Sequence, residues 1–145
     1  MIVTLRPVSG ERELFDPAVT GQFAGQMAEV AATEQVPPWC GYVGWVDGVP
    51  LGFGGFASLP DAQGVAEIGY LTFPAYEGCG VATAVAAELV RIAREGGLTA
   101  VIAHTLPMEN ASVAVLRRNG FHRDGEAVDP DEGPVWRWRL SLSTV

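Results

Sequence analysis

The chain contains no lysine. Its nine basic residues are all arginines, set against 17 acidic ones, for a formal charge of −8 over 145 residues. Any anion it holds must therefore be held by arginine, by backbone N–H groups or by a helix N-terminus. A lysine Schiff base and a Walker-type phosphate loop are both excluded. The acid excess also argues against nucleic acid as a partner, because that affinity rests on neutralising phosphates. A cationic partner is attracted instead.

Cysteine and histidine are nearly as scarce. Cys40 and Cys79 are the only cysteines, and His104 and His122 the only histidines. A structural zinc site draws on four such ligands in close spacing, and these four are scattered, so no metal is expected and the cysteines read as free thiols. Long apolar runs are absent as well. Nothing approaches the roughly 18 residues of a membrane span, so no membrane partner is expected. The opening segment carries Arg6 and reaches acid by Glu11, unlike a secretory signal. The cytoplasm is the expected compartment.

What remains is globular: 48% hydrophobic and 18% charged residues, with no repeat or low-complexity linker. One domain over 1–145 is expected. Residues 2–7 read as a first strand. Asp16-Pro17 is an N-cap followed by proline at the first helical position. Val19, Phe23, Met27, Val30 and Ala31 then recur at helical spacing, which predicts one amphipathic helix over 17–34. Apolar runs at 41–46 and 50–57 flank Asp47-Gly48, a hairpin signal, and 65–72 adds a third strand of a meander. Gly78-Cys79-Gly80 leads into Val81, Val85, Leu89 and Ile92 at helical spacing, closed by Gly96-Gly97. A short strand over 99–104, a helix over 112–119 and strands at 121–126 and 135–142 follow, with an acidic loop from Asp129 to Pro134. The order β-α-β-β-β-α-β-α-β-β is an α+β, or mixed α/β, domain.

Two segments carry chemistry. Glu67-Ile68-Gly69-Tyr70-Leu71-Thr72-Phe73 is a strand that runs through Glu77-Gly78-Cys79-Gly80-Val81-Ala82-Thr83 into the long helix. Glycines there let a backbone approach a ligand, and the helix start offers free N–H groups to an anion such as a pyrophosphate. The second segment is Ala103-His104-Thr105-Leu106-Pro107-Met108-Glu109-Asn110-Ala111-Ser112, running on to Val115-Leu116-Arg117-Arg118-Asn119-Gly120-Phe121. Together, in this order and over about half the chain, the two resemble the GNAT family, the Gcn5-related N-acetyltransferases, and in particular its branch of ribosomal-protein N-terminal acetyltransferases.

The resemblance implies a central, mostly antiparallel sheet of six to seven strands flanked by helices and splayed between the fourth and fifth. It implies transfer of an acetyl group from acetyl-CoA to a primary amine, of a small molecule or a peptide N-terminus, by direct attack. The backbone of Leu71, Thr72 and Phe73 would pair with the pantetheine arm, and an N–H near Leu71 would polarise the thioester carbonyl. The pyrophosphate would lie on Glu77, Gly78, Cys79, Gly80, Val81, Ala82 and Thr83. Glu77 departs from the family pattern, which has Arg or Gln there. Asn110 would contact the cofactor arm, and the adenosine end would look for Arg117, with Arg118 and Arg123 as alternatives. Glu67 would be the general base, with His104 as a rival, and Ser112 would protonate the leaving thiolate, because Leu116 occupies the usual Tyr position. Glu29, Glu34, Asp129, Asp131 and Glu132 suggest a cationic acceptor. A homodimer is left open. The alternative is a CoA-binding module without turnover.

Overall fold

The computed structural model describes residues 1–142. Seven strands form one sheet in the order β1-β2-β3-β4-β5-β7-β6. They are β1 (Thr4–Pro7), β2 (Gly41–Val46), β3 (Val49–Phe56), β4 (Val65–Thr72), β5 (Ala100–Thr105), β6 (His122–Asp129) and β7 (Gly133–Ser141). Every neighbouring pair is antiparallel except β4 with β5. The helices are α1 (Pro17–Thr20), α2 (Ala24–Ala32), α3 (Val81–Glu95) and α4 (Ala111–Arg118). This is the expected α+β architecture at seven strands. Among the described residues no helix is long and apolar enough to cross a membrane.

Alternation along the strands separates two faces of the sheet. One face packs against α3, whose buried stripe is Val81, Val85, Ala86, Leu89, Val90 and Ala93, and against Val113 and Leu116 of α4. The other face, over β1 to β4, buries Val43, Trp45 and Phe73 with Leu14 and Met27 from the segment that follows β1. The β2–β3 hairpin closes at Asp47 and Gly48, with φ of 50° and 78°. Two consecutive left-handed residues are what a type I′ turn requires.

The helix expected over 17–34 is interrupted. Asp16 caps α1 by accepting from the Ala18 N–H at 2.9 Å, but the helix ends at Gly21, where φ is 61° and ψ is −136°. A 3-10 turn over Gly21–Phe23 then leads into α2. The cause is long-range. Proline 74, on the connection after β4, lies so close that a Cβ at position 21 would sit 2.6 Å from its Cγ. Only glycine accepts both that dihedral and that contact.

Helix α3 sits low on the sheet because the strands beneath it lack side chains. A Cβ on Gly44 would meet Val85 at 3.1 Å, one on Gly52 would meet Val81 at 3.0 Å, and one on Gly54 would meet Leu89 at 3.0 Å. Gly54→Ala is therefore expected to destabilise the protein by about 1–3 kcal/mol through overpacking. Urea unfolding should show a lower midpoint with an unchanged slope. An unchanged midpoint would mean that the α3 contact is softer than its distances indicate.

Candidate active site

Strands β4 and β5 pair over only three positions, Val65↔Ala100, Ala66↔Val101 and Glu67↔Ile102. Beyond Glu67 they diverge. The rest of β4 keeps its ladder with β3, from Ile68↔Phe56 to Thr72↔Gly52, so its other edge is left open.

Two hydrogen bonds fix which groups face that opening. The Ala57 N–H donates to the Glu67 carbonyl at 2.9 Å, and the Phe73 N–H donates to the Leu51 carbonyl at 2.9 Å. Between them the antiparallel pattern alternates, so the main chains of Gly69 and Leu71 also turn toward β3. The N–H groups left at the open edge are those of Tyr70 and Thr72, since that of Ile68 belongs to the last β4–β5 bridge. The Leu71 and Phe73 N–H groups, expected to face the pantetheine arm, point into the ladder with β3, and the Thr72 N–H points toward the opening. The Phe73 side chain is fully buried in the second core cluster.

Past β4 the chain turns through Gly78 and Gly80, with φ of 77° and 83°. Gly80 is the N-cap of α3 and supplies no capping side chain. The first helical bond runs from the Ala84 N–H to the Gly80 carbonyl at 3.2 Å. The N–H groups of Val81, Ala82 and Thr83 therefore point out of the helix end without intrahelical partners, where the helix dipole is positive. They border a cavity of about 550 Å³ between α3 and α4, lined by Thr72, Glu77, Gly78, Gly80 and Arg118 among others. Cys79 is exposed, with its thiol 3.7 Å from the Glu77 carbonyl.

Of the arginines, Arg118 lines this cavity. Arg117 does not. Its guanidinium donates to both Glu109 carboxylate oxygens at 2.8 Å and lies 5.4 Å from the centre of the Trp138 ring. Of the two neighbouring arginines, it is Arg118 that borders the cavity, while Arg117 is engaged with Glu109. Asn110 is committed in part: its side-chain oxygen caps α4 by accepting from the Val113 N–H at 2.9 Å, which leaves its amide N–H groups for a ligand.

Across the opening, β4 touches α4 through a residue that sequence reasoning missed. The Tyr70 hydroxyl donates to the Ser112 carbonyl at 3.0 Å and lies 2.9 Å from the Ser112 hydroxyl. Burial pushes the Tyr70 phenol above its usual range, and the bond to Ser112 opposes this in part. It stays protonated through neutral pH. Its even position on β4 signalled a half-buried ring, but nothing local pointed 42 residues ahead to Ser112.

On the opposite face, Glu67 and His104 stand side by side. His104 Nδ1 is 3.0 Å from the Glu67 carboxylate, with the Glu67 side chain 39% exposed and that of His104 25% exposed. His104 pairs across the sheet with Arg137, which is itself bound to Asp124 at 2.9 Å. Asp129, the last residue of β6, is held below the usual carboxylate range by the N–H groups of Glu132 and Asp131, with a smaller contribution from His104. On this same face a second cavity, of about 420 Å³, opens between α2 and the strands β2 to β4. None of Glu29, Glu34, Asp131 and Glu132 lines it.

The cap offers a check that is independent of any ligand. Asn110→Ala removes the acceptor for the Val113 N–H and is expected to cost about 0.5–2 kcal/mol of stability, read as a lower thermal midpoint. A midpoint equal to that of the parent would show that water caps α4 equally well.

The arrangement has relatives. A 70–72% portion of the chain aligns with four solved acetyltransferases over 61–66% of their own lengths. One of them, from Salmonella typhimurium, modifies the N-terminal serine of ribosomal protein L7/L12; it is 22% identical with a TM-score of 0.62. Other alignments span nearly the whole fold. An aminoglycoside acetyltransferase solved with coenzyme A is 20% identical, with 96% of this chain and 94% of that one covered and a TM-score of 0.72. A putative phosphinothricin N-acetyltransferase is 21% identical, with 98% and 99% covered and a TM-score of 0.71. No curated protein matches the chain. The sequence profile of the acetyltransferase (GNAT) domain matches residues 5–122. With the splayed sheet, the cradle at α3 and a profile match over most of its length, the chain belongs to the GNAT acetyltransferase family.

Proposed function

We propose that this protein transfers an acetyl group from acetyl-CoA to a primary amine. The observation that carries the reading is the position of β4. Its open edge lies between a cradle of unpaired N–H groups on one face of the sheet and the Glu67–His104 pair on the other. The coenzyme A moiety fits the first side. Its pyrophosphate meets the N–H groups of Val81, Ala82 and Thr83 and the guanidinium of Arg118, which is how a chain without lysine holds phosphate. Its pantetheine arm lies along the open edge, pairing with the main chain of Tyr70 and Thr72 and reaching the side chain of Asn110.

The chemistry follows from the groups that face the reacting atoms. A neutral amine attacks the thioester carbonyl carbon, the C–N bond forms, and the C–S bond breaks. An open-edge N–H, from Tyr70 or Thr72, stabilises the charge that develops on the carbonyl oxygen. Glu67 takes the proton that the amine must lose, directly or through water, and His104 orients its carboxylate. The leaving thiolate takes a proton from the Tyr70–Ser112 hydroxyl pair, whose phenol is still protonated at neutral pH.

A second reading is a module that binds CoA without turnover. It rests on Glu77, which borders the phosphate cradle and brings a negative charge to it. Release of free thiol from acetyl-CoA in the presence of an amine separates the two readings.

Two variants test the assignment. Position 80 has open space around it but a φ of 83°. Gly80→Val should fold, lose the left-handed turn at a cost of about 1–2 kcal/mol, and no longer bind CoA by titration calorimetry. Undiminished CoA affinity in a folded variant would move the phosphate site elsewhere. Glu67→Gln should lower turnover by roughly 10²–10⁴-fold with CoA affinity unchanged. The defect should shrink at high pH, where more of the amine is already neutral. Parent-like turnover at every pH would pass the proton to His104 or to solvent.

A further inference from the structure

The cavity beside Glu67 has an unusual floor. Gly41, Gly55 and Gly69 stand in direct cross-strand register on β2, β3 and β4. All three belong to the face that carries Glu67. Only Gly69 is bare: a Cβ there would meet nothing within 4 Å, whereas Gly41 lies under Phe53 and Val30 and Gly55 abuts the main chain of Cys40 and Gly41. The surroundings of the floor are Val30 of α2, Phe53 of β3 and Leu71 of β4.

The polar groups nearby offer no charge. Gln35 is spent on the chain itself. Its side-chain amide donates to the Val30 and Thr33 carbonyls at 3.1 and 3.2 Å, and its oxygen accepts from the Gly41 N–H at 2.9 Å. Among the described residues no acidic or basic side chain lines the cavity. A polyamine or aminoglycoside placed here would find no carboxylate in the cavity walls to pair its further ammonium groups. An apolar body would gain by leaving water.

Gly69 is two residues from Glu67 on the same face, about 7 Å along the strand. A ring lying over Gly69 therefore presents an amine to Glu67 through a two-carbon arm and one hydrogen bond. The open peptide surface at Gly69 suits a planar ring, and the Phe53 side chain, lying over Gly41, gives it an aromatic wall. The cavity, at about 420 Å³, is within the range that takes a small ligand.

We infer that the acceptor is a primary amine on a short arm from an apolar, aromatic body, and that Gly69 sets this specificity. The inference rests on the acetyltransferase reading, which supplies the role of Glu67. It sets aside the expectation that surface carboxylates select a cationic acceptor, because Glu29, Glu34, Asp129, Asp131 and Glu132 lie outside the cavity walls.

The test uses 2-phenylethylamine, methylamine and spermidine as probes, with two readouts. Calorimetry measures binding of each amine, and thiol release from acetyl-CoA measures turnover. Gly69 has open space where a Cβ would stand and no left-handed φ, so Gly69→Leu is expected to fold and to keep its CoA affinity. In the parent, kcat/KM for 2-phenylethylamine should exceed that for spermidine by at least tenfold. In Gly69→Leu, the preference for 2-phenylethylamine over methylamine should fall by at least tenfold, and its binding should weaken in parallel. Binding of 2-phenylethylamine that Gly69→Leu abolishes, without thiol release from any amine, would uphold the pocket and overturn the transferase reading. A parent that prefers spermidine, or that fails to bind 2-phenylethylamine, would overturn the pocket and leave that reading standing. A misfolded Gly69→Leu leaves the parent's own preference to decide.

Discussion

Everything at the site depends on one interruption of hydrogen bonding. The parallel ladder between β4 and β5 stops after three pairs. An open edge inside a sheet is costly, since its N–H and C=O groups need partners. The protein separates the strands so that this edge stays reachable instead of healing it. Tyr70 ties β4 to α4 across the gap through Ser112. On the far side, β5 is held by six register pairs to β7, with Trp138 buried beneath and donating its indole N–H to Thr105 at 3.0 Å. Both banks are thus anchored independently of each other.

The interruption also divides labour between the faces. The α3–α4 face provides unpaired N–H groups, one arginine and two hydroxyls. The opposite face provides a carboxylate, an imidazole and an apolar hollow. A strand is the natural partition, because its side chains alternate between faces while its main chain points along the sheet. β4 thereby sends Glu67 to one face, Tyr70 to the other, and the N–H groups of Tyr70 and Thr72 into the gap.

Much of this was legible in the residues. The glycine turn before α3, the strand bearing Glu67 and the helix opening at Asn110 are local patterns, and local patterns survive folding. What was not legible is long-range. The break at Gly21 comes from Pro74, more than 50 positions later. Arg117 and Arg118 are indistinguishable in sequence, and Glu109 chooses between them. Period-two alternation locates side chains, but it does not say which edge a main chain turns toward. That edge depends on the phase of the β3–β4 ladder, and the phase moved the open-edge role from Leu71 and Phe73 to their even-numbered neighbours. The bond between Tyr70 and Ser112 exists only once both segments are docked.

Glycine occupies β3 on both faces, at positions 52 and 54 on one and 55 on the other. A strand so poor in side chains has few cross-strand pairs to tell it where to lie. Its alignment is set instead by the tight turn at Asp47-Gly48 and by the teeth of α3, whose Val81, Val85 and Leu89 settle into the vacancies. Strand alignment and helix docking are therefore interdependent in the fold: the strands that hold β4 in place and the helix seated in their vacancies fix one another, and the slot at the edge of β4 depends on that mutual seating.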